Sequence, residues 1–373
     1  PALTSSNLQS HRNHPTMSFD TKLLADLMAC KPVSSQPENV NRASAILNQN
    51  LTAAGLHCTL ENCGGYQVLF ASTTPGKEPD VLLNAHIDVV PASDDLFTLK
   101  LDGDIARGRG VGDCLGNAVA IAQVLINLKD QASVGAIFSS DEEIGGATTA
   151  AMVKLGYRAR RLAIVIDGPT YALAIAQKGI IIIRLRARGA GGHASAPWAC
   201  DNPIEKLLSG YAKLKSAWPE VKADDQWHDT MVPCQVQAGF ADNQVPEQAE
   251  MTINIRYTQE ENFATIIRLV ESLTGLETEV TRTCKPLYTD ENAPAIQALL
   301  AAMRQAFPDK DIAVRRMNGA TDARHLSPFG VPIAIIGTPG GNVHSDLEWA
   351  DLDGIAKYTD MLADFIRDFA NTR

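Results

Sequence analysis

No apolar run in this chain approaches the roughly 18 residues that a helix needs to span a bilayer, so no membrane partner is expected. Its seven cysteines are odd in number and form no C-x-x-C pair, which excludes a zinc-finger module and suits free thiols in a reducing cytoplasm. Positive charge is scarce: 33 Lys and Arg face 43 Asp and Glu, for a formal charge of −10. Without a Lys/Arg-rich stretch to neutralise phosphates, nucleic acid is excluded as a main partner. The basic "RLRARG" (184–189) reads as a strand with alternating solvated arginines. No G-K-[ST] follows a Gly-rich loop, and "GRGVGDCLG" is G-x-G-x-G, not the dinucleotide fingerprint. A G-x-S-x-G elbow is missing too, which removes the common serine hydrolase. Residues 1–16 are polar and lack the apolar centre of a signal peptide; they read as a flexible tail or an appended remnant, ahead of Met17 as the natural start.

What is present is a globular composition, 45% hydrophobic and 20% charged, in a chain long enough for two domains. Buried strands at "DVLLNAHIDVV", "SVGAIFSS", "RLAIVID" and "VPIAIIGT" alternate with helical stretches such as "NAVAIAQVLINLKD" and the final "DLDGIAKYTDMLADFIRDFA". This pattern predicts an α/β fold with a mixed sheet flanked by helices. Near Lys178 the rhythm changes to β-α-β-β-α-β, the order of a ferredoxin-like α+β unit. The expected organisation is a catalytic domain over 17–177 and 288–373, interrupted by an inserted lid domain over 178–287.

Sheets of this class carry functional groups at the carboxyl ends of their strands. His86 and Asp88 follow the first buried strand, Glu142 and Glu143 the next, and Asp167 the one after. Asp113 enters a helix and His344 follows the last strand. Three adjacent acids in "SSDEEIGG" form either a solvated turn or one wall of a cation site. Taken singly, each acid or histidine reads as an ordinary loop residue; together they form a ligand set for two divalent ions, most naturally zinc. Asp113, Glu143 and Asp167 with a bridging hydroxide balance two dications, leaving Glu142 for proton transfer. Cys114, beside a candidate ligand, reads as incidental and not as a nucleophile.

The blocks "HIDVVP", "GRGVGD", "DEEIGG", "GGHASAPW" and "HSDLEW" resemble those of the metallopeptidase family that contains aminoacylases, acetylornithine deacetylases, succinyl-diaminopimelate desuccinylases, carnosinase-type dipeptidases and glutamate carboxypeptidases. The resemblance implies His86 and Asp167 on one zinc, Glu143 and His344 on the other, and Asp113 bridging, with cobalt or manganese as possible replacements. It implies that Asp88 fixes the histidine tautomer, that the Asp113–Cys114 peptide is cis, and that Glu142 is the general base. His193 of the lid would stabilise the carbonyl oxyanion in a second subunit, making the chain a homodimer through the lid. Asn243 and Arg256 would hold a substrate carboxylate. Asp322, Arg324 and Glu348 match further family positions, with a structural ion pair as the alternative reading. Three departures stand out: Leu115 replaces the usual Lys, the loop after "HIDVVP" lacks the common Trp, and "IDGPT" puts Asp where deacetylases often show Glu-Pro.

These features lead to an expected cytoplasmic di-zinc hydrolase that cleaves an amide of a small N-acyl amino acid with a free carboxylate. A dipeptidase or carboxypeptidase of the same family is the alternative, followed by a non-catalytic metal-dependent ligand-binding protein. Glu142 and Glu143, as neighbours on extended chain, would point opposite ways, one to the water and one to the metal.

Overall fold

A computed structural model describes residues 18–372; the tail expected over residues 1–16 lies outside them. The largest element is a nine-stranded mixed sheet. Its order is His57–Cys63, Tyr66–Ser72, Val134–Ser139, Val81–His86, Leu162–Thr170, Ile333–Gly337, Ala172–Gln177 and Leu287–Tyr288, with Ala313–Met317 also pairing to Ala172–Gln177. The central strands are apolar at successive positions because both faces are covered. Val81, Leu83 and Ala85 enter one core, with the helices Leu115–Leu128 and Leu352–Asn371. Leu82 enters the opposite core, beside Met152 of the helix Ala147–Lys154 and Leu326. The α/β fold read from the alternating elements is therefore the observed one. Ala172–Gln177 and Ala313–Met317 were not anticipated: "ALAIAQ" and "AVRRM" are poor in the β-branched and aromatic residues that mark strands.

A second, four-stranded antiparallel sheet has the order Thr230–Ala238, Gln248–Tyr257, Gly179–Arg188 and Glu277–Cys284. With the helices Pro203–Ala217 and Asn262–Thr274 it follows the β-α-β-β-α-β order. One face buries Ile181, Ile183, Leu185 and Ile253 against those helices. The arginines of "RLRARG" lie on the other face. They are not merely solvated: Arg184 pairs with Glu279 at 3.2 Å, and Arg186 with Glu250 at 2.5 Å and Glu277 at 2.6 Å.

A smaller sheet, Gly340–Gly341, Trp349–Asp351, Ile105–Arg107 and Lys100–Asp102, fixes the site by tying two loops together. One carries Asp113 and the other His344.

Candidate active site

His86 closes the strand Val81–His86, and its Nδ1 lies 2.8 Å from the backbone oxygen of Asp88. A carbonyl only accepts, so Nδ1 donates, and Nε2 is left facing Asp113 Oδ1 at 2.9 Å. Asp113 Oδ2 lies 3.1 Å from His344 Nε2, which is 3.0 Å from Glu143 Oε1. One carboxylate thus sits between two imidazoles. His344 holds a left-handed backbone, φ 64°, a conformation costly for a side chain with a Cβ and concentrated at functional sites. Donor atoms of His86, Asp113, Cys114 and Asp167 gather within 4.8 Å of one another, as do those of Asp113, Glu143 and His344. Asp113 belongs to both groups. Asp167 lies inside the strand Leu162–Thr170, not at its end, where the register with Ile333–Gly337 slips between Ile336 and Gly337. The Asp113–Cys114 peptide is cis.

The three acids of "SSDEEIGG" separate by function of place. Asp141 accepts from the backbone and hydroxyl of Thr148 and so anchors the start of the helix Ala147–Lys154. Glu142 and Glu143 lie in a 3₁₀ turn, Glu142–Ile144, so the extended-chain reason for their divergence does not hold. Threefold winding turns the two side chains apart instead: Glu143 reaches His344, while Glu142 Oε1 lies 3.4 Å from Arg324 Nη1. That contact has ion-pair distance without hydrogen-bond geometry, and Glu142 Oε1 has no hydrogen-bond partner. Asp88 differs in part from its expected task. Its backbone oxygen orients His86, while its carboxylate, 3.4 Å from Nδ1, accepts from Ser34 Oγ at 2.6 Å and from the N–H groups of Glu142 and Glu143 at 3.0 and 3.2 Å. It holds the acidic turn in place.

The electrostatics show what the cluster demands. Burial raises Glu142 to about 7, with Asp322 adding to the rise and Arg324 opposing it. Burial also raises Glu143 and lifts Asp167 well above the carboxylate range, with Asp113 adding repulsion. Burial raises Asp113 as well, but the two imidazoles outweigh it and hold its carboxyl well below the usual range. His344 is raised to about 9, first by its hydrogen bond to Asp113, and His86 is raised despite burial. The imidazoles take up protons because the crowded acids need positive charge. Cations would supply the same charge, and His86, with Nδ1 committed to a carbonyl, presents Nε2 as a ligand atom. The residues present therefore fit divalent metal. Cys114 is buried, its Sγ donates to the Ile166 oxygen at 3.1 Å, and burial raises its pKa well above the ordinary thiol value.

Glu348 is buried and binds the Asp113 loop: it accepts from the backbone N–H of Gly110, Gly112 and Asp113 at 3.0, 3.0 and 3.1 Å. Its partner Arg109, 2.7 Å away, was missed in the sequence; its only signal was a lone basic residue between the glycines of "GRGVGD". Asp322 accepts from Thr149 at 2.7 Å and leaves Oδ1 without a hydrogen bond, so Arg324 pairs with Glu142 and not with Asp322. His193, Asn243 and Arg256 lie outside both donor groups. His193 pairs with Gln244 in a two-stranded ladder beside Asn243 and is exposed, and Arg256 Nε donates to Asn254 at 3.1 Å. Among the described residues none of the three has a hydrogen bond or ion pair to the cluster. The small cavity at the cluster, about 120 Å³, is walled by Asp113, Asp167, Asn117 and Thr338. A larger one, about 820 Å³, is lined by Cys284, Arg324 and His325 among others.

A doubly covered mixed sheet with acids and imidazoles gathered beside its strand ends defines a metal-dependent hydrolase of amide or peptide bonds. The model of peptidase family M20/M25/M40 matches residues 82–368, and the chain belongs to that family. Curated relatives include a probable succinyl-diaminopimelate desuccinylase of Staphylococcus aureus (strain MRSA252), 25% identical over 91% of this chain and 95% of its own. The succinyl-diaminopimelate desuccinylase of Ehrlichia canis (strain Jake) is 24% identical over 89% and 94%. Among solved structures, an M20 family metallo-carboxypeptidase from Sulfolobus solfataricus superposes with a TM-score of 0.79 at 15% identity, covering 93% of this chain and 98% of its own. An aminopeptidase PepT from Bacillus cereus gives 0.76 at 15%, covering 94% and 98%. Among the described residues no helix is long and apolar enough to cross a membrane.

Proposed function

We propose that the chain is a two-zinc hydrolase that cleaves the amide of a small N-acyl amino acid bearing a free carboxylate. The observation that carries this reading is Asp113, shared by two donor groups whose other members are His86, Cys114 and Asp167 on one side and Glu143 and His344 on the other. When bound, the cations acidify a water and polarise the amide carbonyl. Glu142 remains outside both groups, raised to about 7, with an oxygen free of hydrogen bonds. In that state it takes a proton from the attacking water and returns it to the departing amine. Arg324 beside it keeps part of the population ionised. Asp88 keeps the Glu142–Glu143 turn and the His86 ring fixed, so neither reorganises during the reaction.

His193, exposed and without contact to its own cluster, serves as oxyanion donor in the site of a second copy, which makes the working form a homodimer. Asn243 and Arg256 hold the substrate carboxylate. The desuccinylase names of the curated relatives favour an N-acyl substrate over a dipeptide; a carboxypeptidase activity is the second reading, favoured by the name of one fold relative. The protein is read as cytoplasmic. Hydrolysis of N-acetyl amino acids, N-succinyl amino acids and dipeptides, before and after chelation, tests the reading. Turnover of an N-acyl substrate, abolished by chelation and restored by zinc, is the expected result. Full turnover after complete metal removal contradicts it.

A further inference from the structure

The lid sheet turns one face to its helices and the other away from them. Paired residues of neighbouring strands share a face. Arg256 pairs with Ile180, which pairs with Cys284, and Asn254 pairs with Ile182, which pairs with Arg282. Arg256 and Arg282 therefore stand on one face, opposite to Ile181 and Ile183, which face the helices. Arg282 owes its place to a β-bulge. Val280 pairs with Ile183 and Arg282 with Ile182, so Thr281 is an extra residue. In a regular ladder without the bulge, Thr281 would oppose Ile182 and Arg282 would oppose Ile181, under the helices. Bulges re-aim side chains in this way, often beside active sites.

The re-aimed side chain reaches the catalytic loop. A Cβ added to Gly145, two residues after Glu143, would lie 3.9 Å from the Arg282 guanidinium. Burial lowers the pKa of Arg256, and Arg282 and Arg324 both push it the same way, which places three guanidinium groups in one region. Arg324 pairs with Glu142, and its buried Nη2 still lacks a hydrogen-bond partner. Neither Arg256 nor Arg282 has a carboxylate within ion-pair distance among the described residues; Arg256 donates only to Asn254. Two guanidinium groups are thus left without counter-charges in the region of Arg324, the partner of Glu142. One carboxylate balances only one of them.

We infer that Arg282 is a specificity-determining residue that recognises a second carboxylate, so that the substrate is a dianion carrying one carboxylate for Arg256 and another for Arg282. This rests on the N-acyl amino acid reading and narrows it. The second carboxylate belongs either to the acyl group or to the amino-acid side chain, and three probes separate the sources: N-acetyl-L-alanine, N-succinyl-L-alanine and N-acetyl-L-glutamate.

The test measures kcat/KM for each probe with the metal-loaded full chain, and equilibrium binding of each to the Glu142→Gln protein by calorimetry. A charge-assisted contact predicts a preference of roughly ten- to hundredfold for one dianion over the monoanion. Arg282→Gln brings that ratio to about one, and Arg282→Lys restores part of it, since the charge returns without the fork. Arg184→Gln, on the same sheet but paired to Glu279, leaves the ratio intact. A wild-type ratio near one, or a preference that survives in Arg282→Gln, overturns the inference. Equal hydrolysis of all three probes would leave the N-acyl reading standing and remove the role of Arg282. Arg282-dependent binding of a dianion without hydrolysis of any probe would do the reverse.

Discussion

Arg109 and Glu348 form a buried ion pair, 2.7 Å between Nη1 and Oε2, with both side chains nearly sealed from solvent. The pair joins the loop that bears Asp113 to the loop that bears His344, and the other oxygen of Glu348 takes three backbone N–H groups. Burial alone raises the pKa of Glu348; those N–H groups and Arg109 oppose it. Glu348→Ala would strand a buried guanidinium and three donors, and the expected loss is about 3–5 kcal/mol of unfolding free energy. Glu348→Gln keeps an acceptor oxygen for the N–H groups and should cost less. Urea unfolding of both variants checks the order; equal stability of wild type and Glu348→Ala contradicts it.

Gly146 has φ 68°, and a Cβ there would fall 2.1 Å from Asp322 Oδ1 and 2.9 Å from His325 Nε2. Asp322 cannot move freely because Thr149 holds its other oxygen. Gly146→Ala should therefore lose about 1–3 kcal/mol from left-handed strain and crowding together. Activity should fall as well, through displacement of the turn that carries Glu142. Thermal unfolding alongside kcat measures both. Unchanged values would mean that the loop is less constrained than its contacts require.

Lys178 is buried where the large sheet gives way to the four-stranded sheet, and its Nζ donates to the Gln226 backbone oxygen at 2.6 Å. Burial lowers its pKa from 10.5; Arg256 pushes the same way and Asp229 opposes. Between the lowered value and 10.5 the unfolded chain binds more protons than the folded chain, so this group's contribution to stability rises with pH across that window. Below the window the cost of the buried ammonium is fully present. Relative to Lys178→Met, the wild type should gain stability as pH rises through the window that ends at 10.5. Denaturant unfolding at a series of pH values provides the check, and a pH-independent difference between the two proteins contradicts the assignment.

The main sheet was legible because strands buried on both faces leave near-continuous apolar runs, as in Val81–His86. Ala172–Gln177 left no such mark, since its alanines suit either helix or strand. Most of the acids and histidines stood out because their sequence positions follow a buried apolar run, yet spacing alone could not say which way Glu142 and Glu143 turn. That depends on a 3₁₀ turn pinned by Asp88, a contact across more than fifty residues of chain. Arg109 was invisible for a similar reason: its partner Glu348 lies 239 residues away. Arg282 is harder still to see. Its face is set by one extra residue in a strand whose alternation reads as regular in the sequence.

The central claim is that Glu142 moves the proton while other side chains hold the cations, and Glu142→Gln measured for turnover and bound metal together tests it most directly. The account predicts that hydrolysis falls by at least about a hundredfold while two zinc ions per chain remain bound. Turnover at the wild-type rate in a fully loaded Glu142→Gln protein would contradict it.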